Sequence, residues 1–105
     1  NWGAKEGKPI NPGATKVSFS AKGGAGGEEL TFLAGGVNSK GGDATLTHSD
    51  SFSATQAVTL TTDWAHYEIS LAGDSYTNVI GAFAWSITTS STSPVTFYID
   101  DITWE

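Results

Sequence analysis

Apolar residues in this chain recur at every second position, and no window carries them at every third or fourth. In ATKVSFSAKG, Val17, Phe19 and Ala21 alternate with Lys16, Ser18, Ser20 and Lys22. Successive side chains of a strand point to opposite faces, so the pattern specifies a half-buried strand and excludes an amphipathic helix. The same spacing returns in EELTFLAGG with Leu30, Phe32 and Ala34, in SFSATQAVTLT with Phe52, Ala54, Val58 and Leu60, and in AHYEISLAG with Tyr67, Ile69 and Leu71. NVIGAFAWSITT is apolar on both faces, which predicts a central strand. PVTFYIDDITW opens on Pro94, a residue suited to a strand's first position. The glycines of GGAGG predict a hairpin between the first two runs. Short strands separated by turn signals about every 8–12 residues predict an all-β fold, an antiparallel β-sandwich.

A length of 105 residues fits one domain, 1–105, with residues 1–13 as an irregular N-terminal arm rich in Gly, Pro and Asn. The chain opens on NWG without an initiator methionine, and a processed or excised chain is expected. A net charge of -6 with only 5 Lys and Arg residues leaves too few cations for a continuous phosphate-binding groove, so nucleic acid is not the expected partner. No apolar run approaches the roughly 20 residues that cross a bilayer as a helix, and no membrane role is expected. The absence of cysteine excludes disulfides, thiolate metal sites and cysteine nucleophiles.

The chemistry-bearing residues are few. If Val95, Phe97 and Ile99 face the core, strict alternation sends Asp101 inward and puts Tyr98, Asp100, Ile102 and Trp104 on the other face. A buried carboxylate needs a cation, backbone N–H donors or a proton. Calcium is one solution, with further oxygens from Glu28, Glu29, Asp43 or Asp50. Solvation of both aspartates is the other. Adjacent strand residues point apart, so the pair cannot flank a glycosidic bond at the required separation of about 5–10 Å. Glu68 has nothing to single it out as a partner, and His48 and His66 lack metal-ligand spacing or a neighbouring nucleophile. The glycine-broken stretch 35–50 is a candidate binding loop.

Aromatic content is the more informative signal. With 4 Trp and 3 Tyr, the chain carries more flat rings than its core requires, and exposed rings stack on the apolar faces of sugars. Trp2, Trp85, Trp104 and Tyr76 are the candidates for a carbohydrate contact, whereas Trp64, at a strand start, is assigned to packing.

The order of NWG, ATKVSFSAKGGAGGEELTFLAGG, Asp50–Ser51, VTLTTDWAHYEISLAG, IGAFAWSI and the closing FYIDDI resembles the C-terminal portion of jelly-roll carbohydrate-binding modules of secreted bacterial proteins. The resemblance implies a jelly-roll-like sandwich and a structural calcium ion held by Asp100 or Asp101, with Glu28 and Asp50 as further ligands. It also implies strands ahead of NWG, so an incomplete sandwich would take its missing strand from a homo-oligomer or a partner chain. The expected function is that of a non-catalytic, extracellular polysaccharide-binding module. The alternative is a self-assembling subunit of an extracellular filament or surface layer. No nucleophile, base and orienting group occur together, which speaks against an enzyme.

Overall fold

The computed structural model describes residues 2–38, 45–71, 73, 76–87 and 93–105. These residues form no helix, and their strands are β1 (Lys16–Gly23), β2 (Glu29–Gly35), β3 (Ser53–Thr59), β4 (Ala65–Ser70), β5 (Ala84–Ile87) and β6 (Phe97–Trp104). All pairings are antiparallel. The strands make two three-stranded sheets, ordered β4-β1-β6 and β3-β2-β5, which pack face to face as a β-sandwich.

Alternation places the core. Val17, Phe19 and Ala21 of β1 and Leu30, Phe32 and Ala34 of β2 are buried, joined by Phe52, Leu60, Ile69, Leu71, Tyr76 and Val79. Phe19 and Phe32 meet across the two sheets with ring centroids 4.5 Å apart, and Phe83 packs against both at 5.2 and 5.7 Å. Removing a ring of this kind costs about 3–5 kcal/mol through lost transfer energy and the cavity left behind. Gly35 lets β2 pass close beneath the neighbouring chain. Its φ is 73°, and a Cβ there would lie 2.4 Å from the Phe52 carbonyl oxygen.

The described part of the run NVIGAFAWSITT, residues 78–87, departs from the expected central strand. Only Ala84–Ile87 pairs in a sheet, with β2 alone, so among the described residues β5 is an edge strand. The preceding residues have other partners. Val79 makes an isolated bridge to Lys8 of the arm, and the N–H groups of Ile80 and Gly81 donate to the Asp50 carboxylate.

Strand β6 corrects the expectation drawn from strict alternation. Ser20 opposes Asp100 but Ser18 opposes Thr103, so Asp101 and Ile102 together face the single residue Phe19. This is a β-bulge, and Asp101 takes a left-handed φ of 52° that aspartate tolerates better than most residues. The extra residue inverts the facing of everything after it. Phe97 and Ile99 pair with Gly23 and Ala21 on the inner face, Tyr98 and Asp100 lie outside, and Trp104 turns inward opposite Val17. Its indole packs on Phe52 and Tyr76 at 6.0 and 5.4 Å, and its Nε1 donates to the Ala82 carbonyl at 3.2 Å. Asp101 does not continue the inward row; it is exposed.

Candidate functional site

The outer face of the β4-β1-β6 sheet is built from the polar half of each alternating run. Lys16, Ser18 and Ser20 lie along β1, with Ser70, Glu68 and His66 opposite them on β4. Across β1 on the other side, Thr103 opposes Ser18, Asp100 opposes Ser20 and Tyr98 opposes Lys22. Trp64 stands one residue ahead of β4, on the same parity as His66 and Glu68. Lys22 therefore sits between two aromatic rings carried by flanking elements. Its Nζ lies 5.1 Å from the Trp64 ring centroid and 5.2 Å from that of Tyr98. Trp64 is 49% exposed and Tyr98 50% exposed, which is unusual for rings that anchor nothing in the core.

The electrostatics of this face are set by short contacts. Lys16 donates to Glu68 at 2.7 Å, and His66 Nε2 lies 3.6 Å from the same carboxylate. The Lys16 hydrogen bond holds the Glu68 carboxyl below its ordinary value, and Glu68 correspondingly raises the Lys16 ammonium. Ser18 Oγ donates to the Glu105 carboxylate. The result is a polar surface of hydroxyls, carboxylates and one imidazole, bounded at one end by the Trp64–Lys22–Tyr98 row. Tyr98 also borders a groove of about 590 Å³ between the β1–β2 turn and the segment entering β6, lined in part by Gly26, Glu28, Pro94 and Val95.

The aromatic residues singled out from the sequence lie elsewhere. Trp2, 73% exposed, lines a shallow cavity with Leu33, Phe83 and Ala84 beside the β3-β2-β5 sheet. Trp85 opposes Phe32 and so belongs to the inner face, yet it is 54% exposed because nothing among the described residues pairs with the free edge of β5. It meets Phe97 edge-on at 5.8 Å and lines a cleft with Val95 and Ile99. Trp104 and Tyr76 pack on each other inside the sandwich. Tyr76 is 1% exposed, so its ring offers no face to a ligand, and its hydroxyl is buried without a hydrogen-bond partner among the described residues. Trp64 and Tyr98, the two rings on the polar face, escaped the sequence reading. Their signal was their parity, since each alternates with polar residues while its strand's apolar residues point the other way.

The carboxylates occupy three separate places. Glu28 closes the β1–β2 turn, accepting from the N–H groups of Ala25 at 2.7 Å and Gly26 at 3.0 Å, and those donors, Ala25 first, hold its carboxyl below the usual range. Asp50 accepts from the N–H groups of Val37, Ile80 and Gly81 at 3.1, 2.7 and 3.0 Å, tying a loop to the approach to β5. Asp100 accepts from the Asp101 N–H at 2.8 Å within the bulge. Glu29 is exposed at the start of β2, and Asp43 lies outside the described residues. Calcium takes six to eight oxygens at one point. Among the described residues no three His, Asp or Glu side chains gather, and Glu28, Asp50 and the Asp100–Asp101 pair each have backbone partners of their own or lie exposed.

No curated protein and no solved structure matches the chain. The family model of carbohydrate binding domain 30 matches residues 13–105, a span that holds all six strands and both rings of the polar face, and the chain belongs to that family.

Proposed function

We propose that this domain is a non-catalytic, secreted module that holds a polysaccharide against the outer face of its β4-β1-β6 sheet. One observation carries the reading: Trp64 and Tyr98 are the half-exposed rings on a face otherwise made of hydrogen-bonding side chains. A sugar ring presents C–H groups on its faces and hydroxyls at its rim. The rings suit the first, and Ser20, His66, Asp100 and Thr103 suit the second. Covering roughly 50 Å² of apolar surface on each ring contributes about 1 kcal/mol apiece at about 25 cal/mol per Å². Carboxylates and hydroxyls that keep their water until a hydroxyl replaces it add orientation more than affinity. The test is affinity electrophoresis through gels containing soluble polysaccharides, comparing the wild type with the Trp64→Ala/Tyr98→Ala double variant. Retardation of the wild type by at least one polysaccharide, lost in the variant, supports the reading; equal mobility of both in every gel refutes it.

A second reading, self-assembly by strand exchange, draws support from the seam between β5 and β6. Both strands pair on one side only among the described residues, and Trp85, Ile87 and Val95 are exposed along it. In that reading a strand from another copy lies along β5 and covers Trp85. Sedimentation equilibrium separates the two, because assembly requires a mass that grows with concentration.

A further inference from the structure

Trp64 and Tyr98 do not lie side by side like tiles. Each turns a face toward the same ammonium, that of Lys22, at 5.1 and 5.2 Å from the ring centroids. The elements that carry them flank β1, so their backbones stand about two strand spacings, roughly 9.6 Å, apart, and the two distances to one ammonium keep the ring centroids within about 10 Å of each other. Carbon atoms approach an aromatic face to about 3.5–4.0 Å. The gap between the two faces is therefore one pyranose ring thick, and the Lys22 ammonium stands in it. Among the described residues no ion pair holds that ammonium, since those of this face involve Lys16 and His66 with Glu68.

We propose that Trp64 and Tyr98 form a clamp that closes on a single sugar ring of a soluble glycan chain, and that Lys22 occupies the clamp in the free protein and is displaced on binding. This rests on the polysaccharide-binding reading above and adds to it the mode of binding and a residue that sets affinity. Two facing rings cannot both lie flat on a crystalline surface, so the site takes separate chains or chain ends. Lys22 is a competitor for the rings. A cation–π contact at an exposed site is weak, so its displacement reduces affinity by about 2- to 5-fold for each ring it leaves. The freed ammonium has a destination. Asp100 sits diagonally across from Lys22 on the same face, within reach of a lysine stem.

The experiment titrates cellohexaose and xylohexaose, as soluble probes, and microcrystalline cellulose, as a flat solid, into the wild type, Lys22→Met, Trp64→Ala and Tyr98→Ala. Methionine keeps most of the stem and removes the charge, and the site is on the surface, so a thermal melt should show each variant folded. The clamp predicts that the wild type binds a soluble hexasaccharide, that each aromatic truncation weakens this about 5- to 8-fold, and that Lys22→Met tightens it about 2- to 5-fold or more. It also predicts that the Lys22 ε-methylene protons, shifted upfield by the two rings in the free protein, move back toward their ordinary position on saturation. An unchanged or weakened affinity in Lys22→Met overturns the clamp. So does retention on microcrystalline cellulose without binding of either hexasaccharide, an outcome that leaves polysaccharide binding itself standing. Failure of the wild type to bind either hexasaccharide overturns the clamp, whereas the reading beneath it falls only to equal mobility in every polysaccharide gel.

Discussion

Truncating Trp104 to alanine tests where the bulge aims the end of β6. With two residues opposing Phe19, Trp104 reaches the inner face. A β6 that kept Asp101 but alternated strictly would turn Thr103 inward and Trp104 outward, and truncating an exposed ring would change stability by no more than about 0.5 kcal/mol. With the bulge, Trp104→Ala removes an indole packed on Phe52 and Tyr76 and its hydrogen bond to the Ala82 carbonyl. Loss of a large packed aromatic costs about 3–5 kcal/mol, and the hydrogen bond adds roughly 0.5–1.5 kcal/mol. Against the about 5–15 kcal/mol that holds a typical domain together, this removes roughly a quarter or more of the stability. With a urea slope of about 2 kcal/mol per molar, the unfolding midpoint falls by roughly 2 M. Fluorescence-monitored urea unfolding measures it through Trp2, Trp64 and Trp85, which the variant keeps. Asp101→Gly is the control. Glycine adopts the left-handed φ of 52° without strain, so its stability should stay within about 1 kcal/mol of the wild type. A Trp104→Ala variant as stable as the wild type would refute the bulge argument.

Three further outcomes are expected. The Glu28 and Glu68 carboxyls lie below their ordinary value of 4.5 in the folded protein, so the stability they contribute is fully present above that value and is lost as pH falls through the folded pKa. Urea titrations stepped downward from pH 5 should show this acid limb, and Glu28→Gln should make it shallower. Gly35→Ala should destabilise by about 2 kcal/mol or more, read as a lowered midpoint, because it adds strain at a φ of 73° to a clash with the Phe52 carbonyl. Saturating calcium against a chelator should leave the melting temperature unchanged, since the carboxylates expected to share an ion stand apart; a rise of several degrees would show that a donor set does assemble.

The sandwich was readable because each strand's parity survives in its own residues. Val17, Phe19 and Ala21, or Tyr67, Ile69 and Leu71, need no knowledge of the rest of the chain to show which side they bury. What escaped the reading depends on contacts between distant residues. Asp50 takes the N–H groups of Ile80 and Gly81 from thirty residues away, and that is why an apolar run shrinks to the short strand β5. The doublet Asp100–Asp101 looked like chemistry because carboxylates in an apolar strand suggest a ligand. Its structural effect is a change of facing, which a strict period of two cannot express. Trp64 was assigned to packing by its position at a strand start, although its parity matched the polar residues that follow it. Tyr76 has no alternating neighbours to fix its facing, and its burial against Phe52 and Trp104 comes from the tertiary fold.

Ligand binding on the outer face of the β4-β1-β6 sheet can be located residue by residue, by mapping backbone amide shifts with a soluble polysaccharide that retards the protein in a gel. Perturbations should centre on Ser20, Lys22, His66, Tyr98 and Asp100, together with the indole N–H of Trp64. Perturbations centred instead on Thr31, Leu33 and Ala57 of the opposite sheet, or on Trp85 and Ile87 at the β5 edge, would contradict it.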